Sequence, residues 1–243
     1  MANDLFSKWL TPSTQTDRVA VWGERPGTRA AGLKIVRTLL AEHFVGESTI
    51  VQAGGYTKAA AVIANSLPTN KRTRSGDLGE LLATEYVDAQ TPFVIPIRKL
   101  RWKSDRQMPM HGNDVVAVDP AQDPVRVLKG ECKSRAAFGS AVVKEAAEGL
   151  DKDGGRPNPS TLAFIAKRLY EDKRDVEANV YRDLQCSGAI TPKQVTHLIF
   201  GLCGNDPSAH LQAAPKPKRG GIRRETAAIV ITDHGAFIEK VFS

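Results

Sequence analysis

The chain has 243 residues, 41% apolar and 25% charged, which is ordinary for a globular protein and enough to bury a sizeable core. No stretch approaches the ~18 consecutive apolar residues of a membrane span, and the start Met-Ala-Asn-Asp-Leu-Phe lacks a basic-then-apolar signal layout, so a cytoplasmic protein is expected. Three cysteines, at 132, 186 and 203, are too few and too scattered for a disulfide framework or a zinc site, while the net charge of +7 favours a polyanionic partner.

Residues 1–30 show no clear periodicity and read as a loosely structured arm, with an edge strand at 18–22. From 32 to 44, Leu33, Val36, Leu39, Leu40 and Phe44 recur at helical spacing, and the alanine-rich run 57–66, ended by Leu67-Pro68, gives a second helix. A basic run, Lys71-Arg72-Thr73-Arg74, leads to Ser75 or Asp77 as the cap of a helix carrying Leu78, Leu81, Leu82, Tyr86 and Val87. Glu80 lies beside the Leu81/Leu82 stripe, where it can face the edge of a packed sheet. Residues 93–102 have strand composition, but Pro96 confines that strand to an edge or a bulge. Two more strands follow at 115–118 and 125–131, joined by the turn Asp119-Pro-Ala-Gln-Asp-Pro124.

A helix is expected at 137–150, then a surface loop at 151–159 and a helical region at 160–185 capped by Ser160. In 195–203, Thr191-Pro192-Lys193-Gln194 looks like a helix start, yet the continuous apolar run better suits a buried strand. Residues 213–224 read as a mobile basic loop. The strands 227–232 and 236–242, around the turn Asp233-His234-Gly235, close the chain. The total is α/β: a mixed central sheet flanked by helices with an N-terminal helical elaboration. Residues 1–70 form the arm and helices packed on a core of 71–243, within one structural domain.

The segment 110–133 carries the chemistry. Side chains two apart on a strand share a face, so Glu131 and Lys133 point one way and Cys132 the other, into the core. Pairing of the two strands brings Asp114 beside Glu131. Two acids and a lysine at the end of a hairpin are costly unless a cation sits among them. Gly112 and Asn113 shape the turn that aims Asp114, and His111 either touches a substrate or is an ordinary exposed loop histidine. Hard oxygen ligands of this kind suit Mg2+, with Mn2+ as the alternative. There is no Gly-x-x-x-x-Gly-Lys-Ser/Thr run, hence no ATP site. The bland alternative is a surface hairpin with an ordinary ion pair.

Asp114 followed by Glu131-Cys132-Lys133 resembles the signature of the PD-(D/E)xK nuclease superfamily, with Asn113 in place of its proline. Gly79-Glu80, Arg101-Trp102, 108–114 and 129–134 together resemble one family, HamA, the nuclease subunit of the Hachiman anti-phage defence system. The resemblance implies a restriction-endonuclease-like core and a DNA-cleaving hydrolase. It assigns Asp114, Glu131 and Glu80 to the metal and Lys133 to the attacking water, and it implies a separate helicase subunit, HamB. A stand-alone restriction-type endonuclease keeps the same chemistry, and a non-catalytic binding module on a nuclease-like fold is the third reading.

Phosphate contacts are expected from Arg98, Arg101, Lys103 and Arg106 near the metal site, and from Lys216, Lys218, Arg219, Arg223 and Arg224 in the basic loop. Lys167, Arg168, Lys173 and Arg174 are offset by neighbouring acids and read as a solvated helix.

Overall fold

The structure is a computed structural model that describes residues 4–186, 188 and 190–243. Six strands form one sheet: β1 (Leu10–Gln15), β2 (Val19–Glu24), β3 (Val115–Asp119), β4 (Arg126–Arg135), β5 (Val195–Cys203) and β6 (Arg223–Val230), in the order β1-β2-β6-β5-β4-β3. The two outer pairs are antiparallel, and the inner pairings β2–β6, β6–β5 and β5–β4 are parallel. A parallel centre must be covered on both faces, and β5 is accordingly buried along its whole length, so the apolar run 195–203 is a strand.

Alternation along β5 assigns the two faces. Leu198, Phe200 and Leu202 pack with helices α1 (Arg29–Phe44), α4 (Lys71–Gln90) and α9 (His234–Val241), whereas Ile199 and Cys203 pack against α5 (Ser140–Asp151). Short helices α2 (Glu47–Gln52) and α3 (Tyr56–Ser66) extend α1. Helices α6 (Pro159–Glu171) and α7 (Asp175–Leu184) form a third cluster with Val116, Val118, Val127 and Val195, and the short α8 (Ser208–Gln212) lies between β5 and β6 in the chain. The expected mixed sheet flanked by helices is therefore present, and the hairpin β3–β4 is in the expected register, with Val115 opposite Gly130.

Several local expectations are corrected. The arm is not loose: after a π-helical turn at Leu5–Trp9 it supplies β1 and β2, and β2 is an interior strand rather than an edge. A register shift between Pro12 and Thr14 and a largely exposed β1 erase the periodic signal. Residues 93–102 make no strand. Pro96 has no N–H, so only Val94 bridges Val118, and a 3-10 turn at Lys99–Trp102 follows.

Helix α4 begins at Lys71, capped by the Asn70 side chain, which accepts from the Thr73 N–H at 2.8 Å; neither Ser75 nor Asp77 is the cap. The region 160–185 is two helices, and Asn158, followed by Pro159, caps the first in place of Ser160. Arg223 and Arg224 belong to β6, not to the basic loop. The last expected strand is helix α9, whose buried positions Phe237, Ile238 and Val241 repeat at helical rather than alternating spacing; Phe237 stacks on Trp9 at 5.3 Å. Among the described residues no helix is long and apolar enough to cross a membrane.

Candidate active site

The site is built at the free edge of the sheet, where β3 begins at Val115 and β4 runs five residues further, from Gly130 to Arg135. The ladder ends with Val115 opposite Gly130, so Asp114 is carried to the level of Glu131. The next N–H of β4, on Cys132, donates to Asp114 Oδ2 at 2.7 Å instead of to a backbone carbonyl. That bond fixes one carboxylate oxygen against the strand. The approach to Asp114 is fixed too. Gly112 has φ 97°, open to glycine at no steric cost, and Asn113 is held on three sides. Its N–H donates to Thr161 Oγ1 (3.1 Å), its Oδ1 accepts from the Asn158 N–H (2.7 Å), and its carbonyl accepts from Lys99 Nζ (2.6 Å).

Strand alternation distributes the motif as expected. Cys132 turns to the α4 side, where it packs on the apolar cluster, and burial among Asp114, Glu80 and Glu131 pushes its thiol well above the usual range. Glu131 and Lys133 turn to α5. Lys133 Nζ bonds Glu131 Oε1 at 3.1 Å and Glu145 Oε1 of α5 at 2.9 Å. Although burial works against its charge, these two acids raise the Lys133 pKa, so the ammonium stays protonated.

Glu80 approaches from α4 and is buried. Lys99 Nζ stands 3.3 Å from its Oε1, and burial, with Asp114 and Asp77 nearby, pushes its carboxyl up to about 8. Glu131 is likewise raised, by burial first and then by Asp114, against the pull of Lys133. Behind Glu80, Asp77 and Lys103 form an ion pair at 2.6 Å whose side chains are 6% and 4% exposed.

Asp114, Glu131, Lys133 and Glu80 thus line one cleft of about 750 Å³, together with Asp77, Glu145, Arg72 and Arg135. The places of Glu145 and Arg72 at the cleft, and of Gly149 behind it, are not marked in the sequence. Glu145 is on α5, twelve residues beyond Lys133, and only the packing of that helix on β4 brings the two together at 2.9 Å. Gly149 lies one turn further along α5: a Cβ there would stand 2.9 Å from Glu131 Cδ, so only the missing side chain leaves room for the carboxylate. A glycine inside a helix is the one sequence signal for it. Arg72 was visible as part of a basic run. Within that run Lys71 pairs with Glu239 and Arg74 donates to the Pro68 carbonyl, whereas Arg72 has no partner among the described residues.

The remaining expected phosphate-binding cations are mostly engaged within the protein. Arg98 bonds Glu85 (3.0 Å) and Asp88 (3.3 Å), Arg101 donates to the Glu42 carbonyl, and Arg106 donates to that of Asn65. Arg223 bonds Asp17 and Glu225, and Arg224 is buried on Asp151 at 2.8 Å. Lys216, Lys218 and Arg219 are exposed. They precede β6, which runs parallel to β4 with Arg223 level with Leu128 through β5, so they lie at the opposite end of the strands from Lys133.

The anionic oxygens at the cleft are the carboxylates of Asp77, Glu80, Asp114, Glu131 and Glu145, and Asp77, Glu80 and Glu131 are held above their ordinary pKa by burial, with Asp114 adding to it at Glu80 and Glu131. That is an excess of negative charge which a hard divalent cation would offset. Among the described residues no three His, Cys, Asp or Glu side chains form a ready-made cage. Magnesium does not require one, since it commonly takes one or two carboxylates and completes its shell with water and phosphate oxygens.

Comparison with known proteins gives two findings. A family model described as HamA matches residues 26–243. The Hachiman protein HamA of Bacillus cereus is 36% identical over 118 residues, which amount to 49% of this chain and 41% of that protein. The match therefore spans less than half the length of that relative.

Proposed function

The chain belongs to the HamA family, and from that membership together with the cleft chemistry we propose that it is a magnesium-dependent nuclease with a PD-(D/E)xK-type site, hydrolysing DNA phosphodiester bonds. The observation that carries the reading is the meeting of Asp114, Glu131 and Lys133 with Glu80 in one cleft at the sheet edge. Asp114 and Glu131 are the metal ligands and Glu80 assists them. Magnesium, with manganese as a substitute, supplies Lewis-acid polarisation of the phosphate and a more acidic water.

The protein's own groups do the rest. Lys133, kept protonated by Glu131 and Glu145, is a donor and a fixed positive charge, not a base; it orients the attacking water and offsets charge that builds on the phosphate. Asp114, tied to the Cys132 N–H through Oδ2, presents its carboxylate in one orientation. Arg72 and Arg135 at the cleft wall are placed to hold the flanking phosphates. The Bacillus cereus relative is named a Hachiman protein, which supports a role in anti-phage defence; a separate helicase subunit, HamB, is the partner that the family resemblance implies.

The test is supercoiled plasmid incubated with the purified protein and Mg2+, alongside Lys133→Ala and a chelator control. Nicking or linearisation by the wild type, lost by at least about 100-fold in the variant and with chelator, is the expected result. Cutting that persists in a Lys133→Ala protein of unchanged melting temperature would refute the assignment. Co-purification of a helicase separates the complex from a stand-alone restriction-type enzyme.

A further inference from the structure

A second cavity of about 600 Å³ adjoins the catalytic cleft, and the two share the segment Met108-Pro109-Met110 as a common wall. Lys99 and Lys103 line this cavity while bonding Glu80 and Asp77 of the cleft, so positive charge stands on the boundary between them. An ammonium has three donors: Lys99 directs two, to Glu80 and to the Asn113 carbonyl, and Lys103 directs one, to Asp77.

The cavity's other walls differ in character from the cleft. Trp102 and Phe164 meet edge to face at 6.2 Å, and Met108 is 55% exposed beside them. Arg101 and Arg168 lie over those rings, yet neither guanidinium lines the cavity, so they brace the aromatic wall from outside it. At its mouth the side chains of Ser104, His111 and Ser160 have no hydrogen-bond partner among the described residues. The one acid, Asp105, accepts from the Gln107 N–H at 2.7 Å. An apolar, aromatic slot of this size falls within the roughly 300–1,000 Å³ of small-ligand sites. Cationic groups on its inner edge and free polar groups at its rim match a nucleobase whose phosphate lies toward the cleft.

We propose that this cavity takes one unpaired nucleotide of the strand being cut, adjacent to the scissile phosphate, and so makes frayed, gapped or single-stranded DNA the preferred substrate. The proposal rests on the nuclease reading. A base in a duplex cannot enter the slot without leaving its stack, which costs free energy that an unpaired base does not spend. Preference for unpaired DNA then follows from the shape of the wall, not from any sequence contact. Stacking of one base on an aromatic group changes affinity by roughly tenfold or more.

The experiment compares two duplexes, one blunt and one with a single-stranded overhang carrying 2-aminopurine, bound by the full chain in chelator so that nothing is cut. The wild type is expected to bind the overhang about tenfold more tightly and to quench the 2-aminopurine emission. Two exposed-position variants test the cavity without touching the core: Ser160→Trp, which fills its mouth, and Met108→Ala, which removes its wall. In each, the affinity ratio is expected to fall to about twofold or less, with the quench lost. Equal binding of both duplexes by a wild type that cuts plasmid overturns the cavity and leaves the nuclease standing. So does a preference and quench unchanged in both variants at unchanged melting temperature. Absence of both binding and cutting removes the nuclease reading and this proposal together.

Discussion

At the scale of single residues, the site is held open by what is missing at position 149. An added Cβ would meet the Glu131 carboxylate at 2.9–3.1 Å, and the flexible end of that side chain, not the backbone, must yield. Alanine is also the better helix residue, by about 1 kcal/mol over glycine in an interior position. Gly149→Ala is therefore expected to leave the melting temperature unchanged or raised while plasmid cleavage falls, by about 100-fold if the carboxylate moves by about 1 Å. Calorimetry and cleavage on the same preparation check it; loss of stability with retained specific activity would contradict it. Asp114, Glu131, Lys133 and Glu80 were legible in the sequence because strand alternation and one helix face suffice to aim them. Gly149 and Glu145 were not, because each reaches the cleft only through packing of a distant element. The internal partners of the cations were hidden for a related reason: Arg98 and Arg224 look free until Glu85 and Asp151 arrive from elsewhere in the chain.

Among the elements, α4 shows how a local signal misleads. Its first turn carries Lys71, Arg72 and Arg74, positive charges at the end of a helix that favours negative ones, so the eye moves on to Ser75 and Asp77. Asn70 overrides that bias with its bond to the Thr73 N–H, and it does a second task. Gln107 Oε1 accepts from the Asn70 backbone N–H (3.2 Å) and Nδ2 (2.9 Å), fastening the 104–110 segment to the start of α4. Asn70→Ala removes the cap and one tie. It is expected to cost about 1 kcal/mol, lowering the melting temperature by roughly 2–4 °C, with no loss of the residual fold by circular dichroism. Of the elements that were read correctly, α1, β3, β4 and β5 each bury a regular stripe or run, while α3, which buries only Ala59, was legible from its alanine-rich composition and the Pro68 that follows it. Residues 93–102 are apolar enough for a strand but Pro96 breaks the ladder, and 236–242 is too short for its apolar pattern to separate a helix from a strand without Trp9 beneath it.

For the molecule as a whole, the sheet's far end is closed by a buried charged cluster that ties stability to pH. His197 of β5 is fully buried; its Nε2–H donates to the Gly155 carbonyl at 2.7 Å, which leaves Nδ1 to accept from Arg224 Nη2 at 3.1 Å. Burial, with Arg224 and Lys129 nearby, lowers its pKa to about 4, against the weaker pull of the Gly155 bond and Asp151. A proton on Nδ1 would abolish the Arg224 bond and set two cations face to face. Between pH 6.5, where the unfolded histidine titrates, and about 4, the unfolded chain thus holds a proton that the folded one refuses. The stability contribution is whole above pH 6.5 and is lost as pH falls through that window, by roughly 3 kcal/mol. Asp77, Glu80 and Glu131 oppose it, because carboxyls with raised pKa favour the folded state as pH falls, so the net curve does not isolate the histidine. The difference between proteins does. His197→Gln can donate to Gly155 and accept from Arg224 but cannot titrate. Its melting temperature is expected to sit below that of the wild type at pH 7, with the gap closing or inverting by pH 4.5. A gap that stays constant across thermal melts from pH 7 to 4.5 would show that His197 takes up its proton as freely folded as unfolded, and that the Gly155–His197–Arg224 chain is not what closes this end of the sheet.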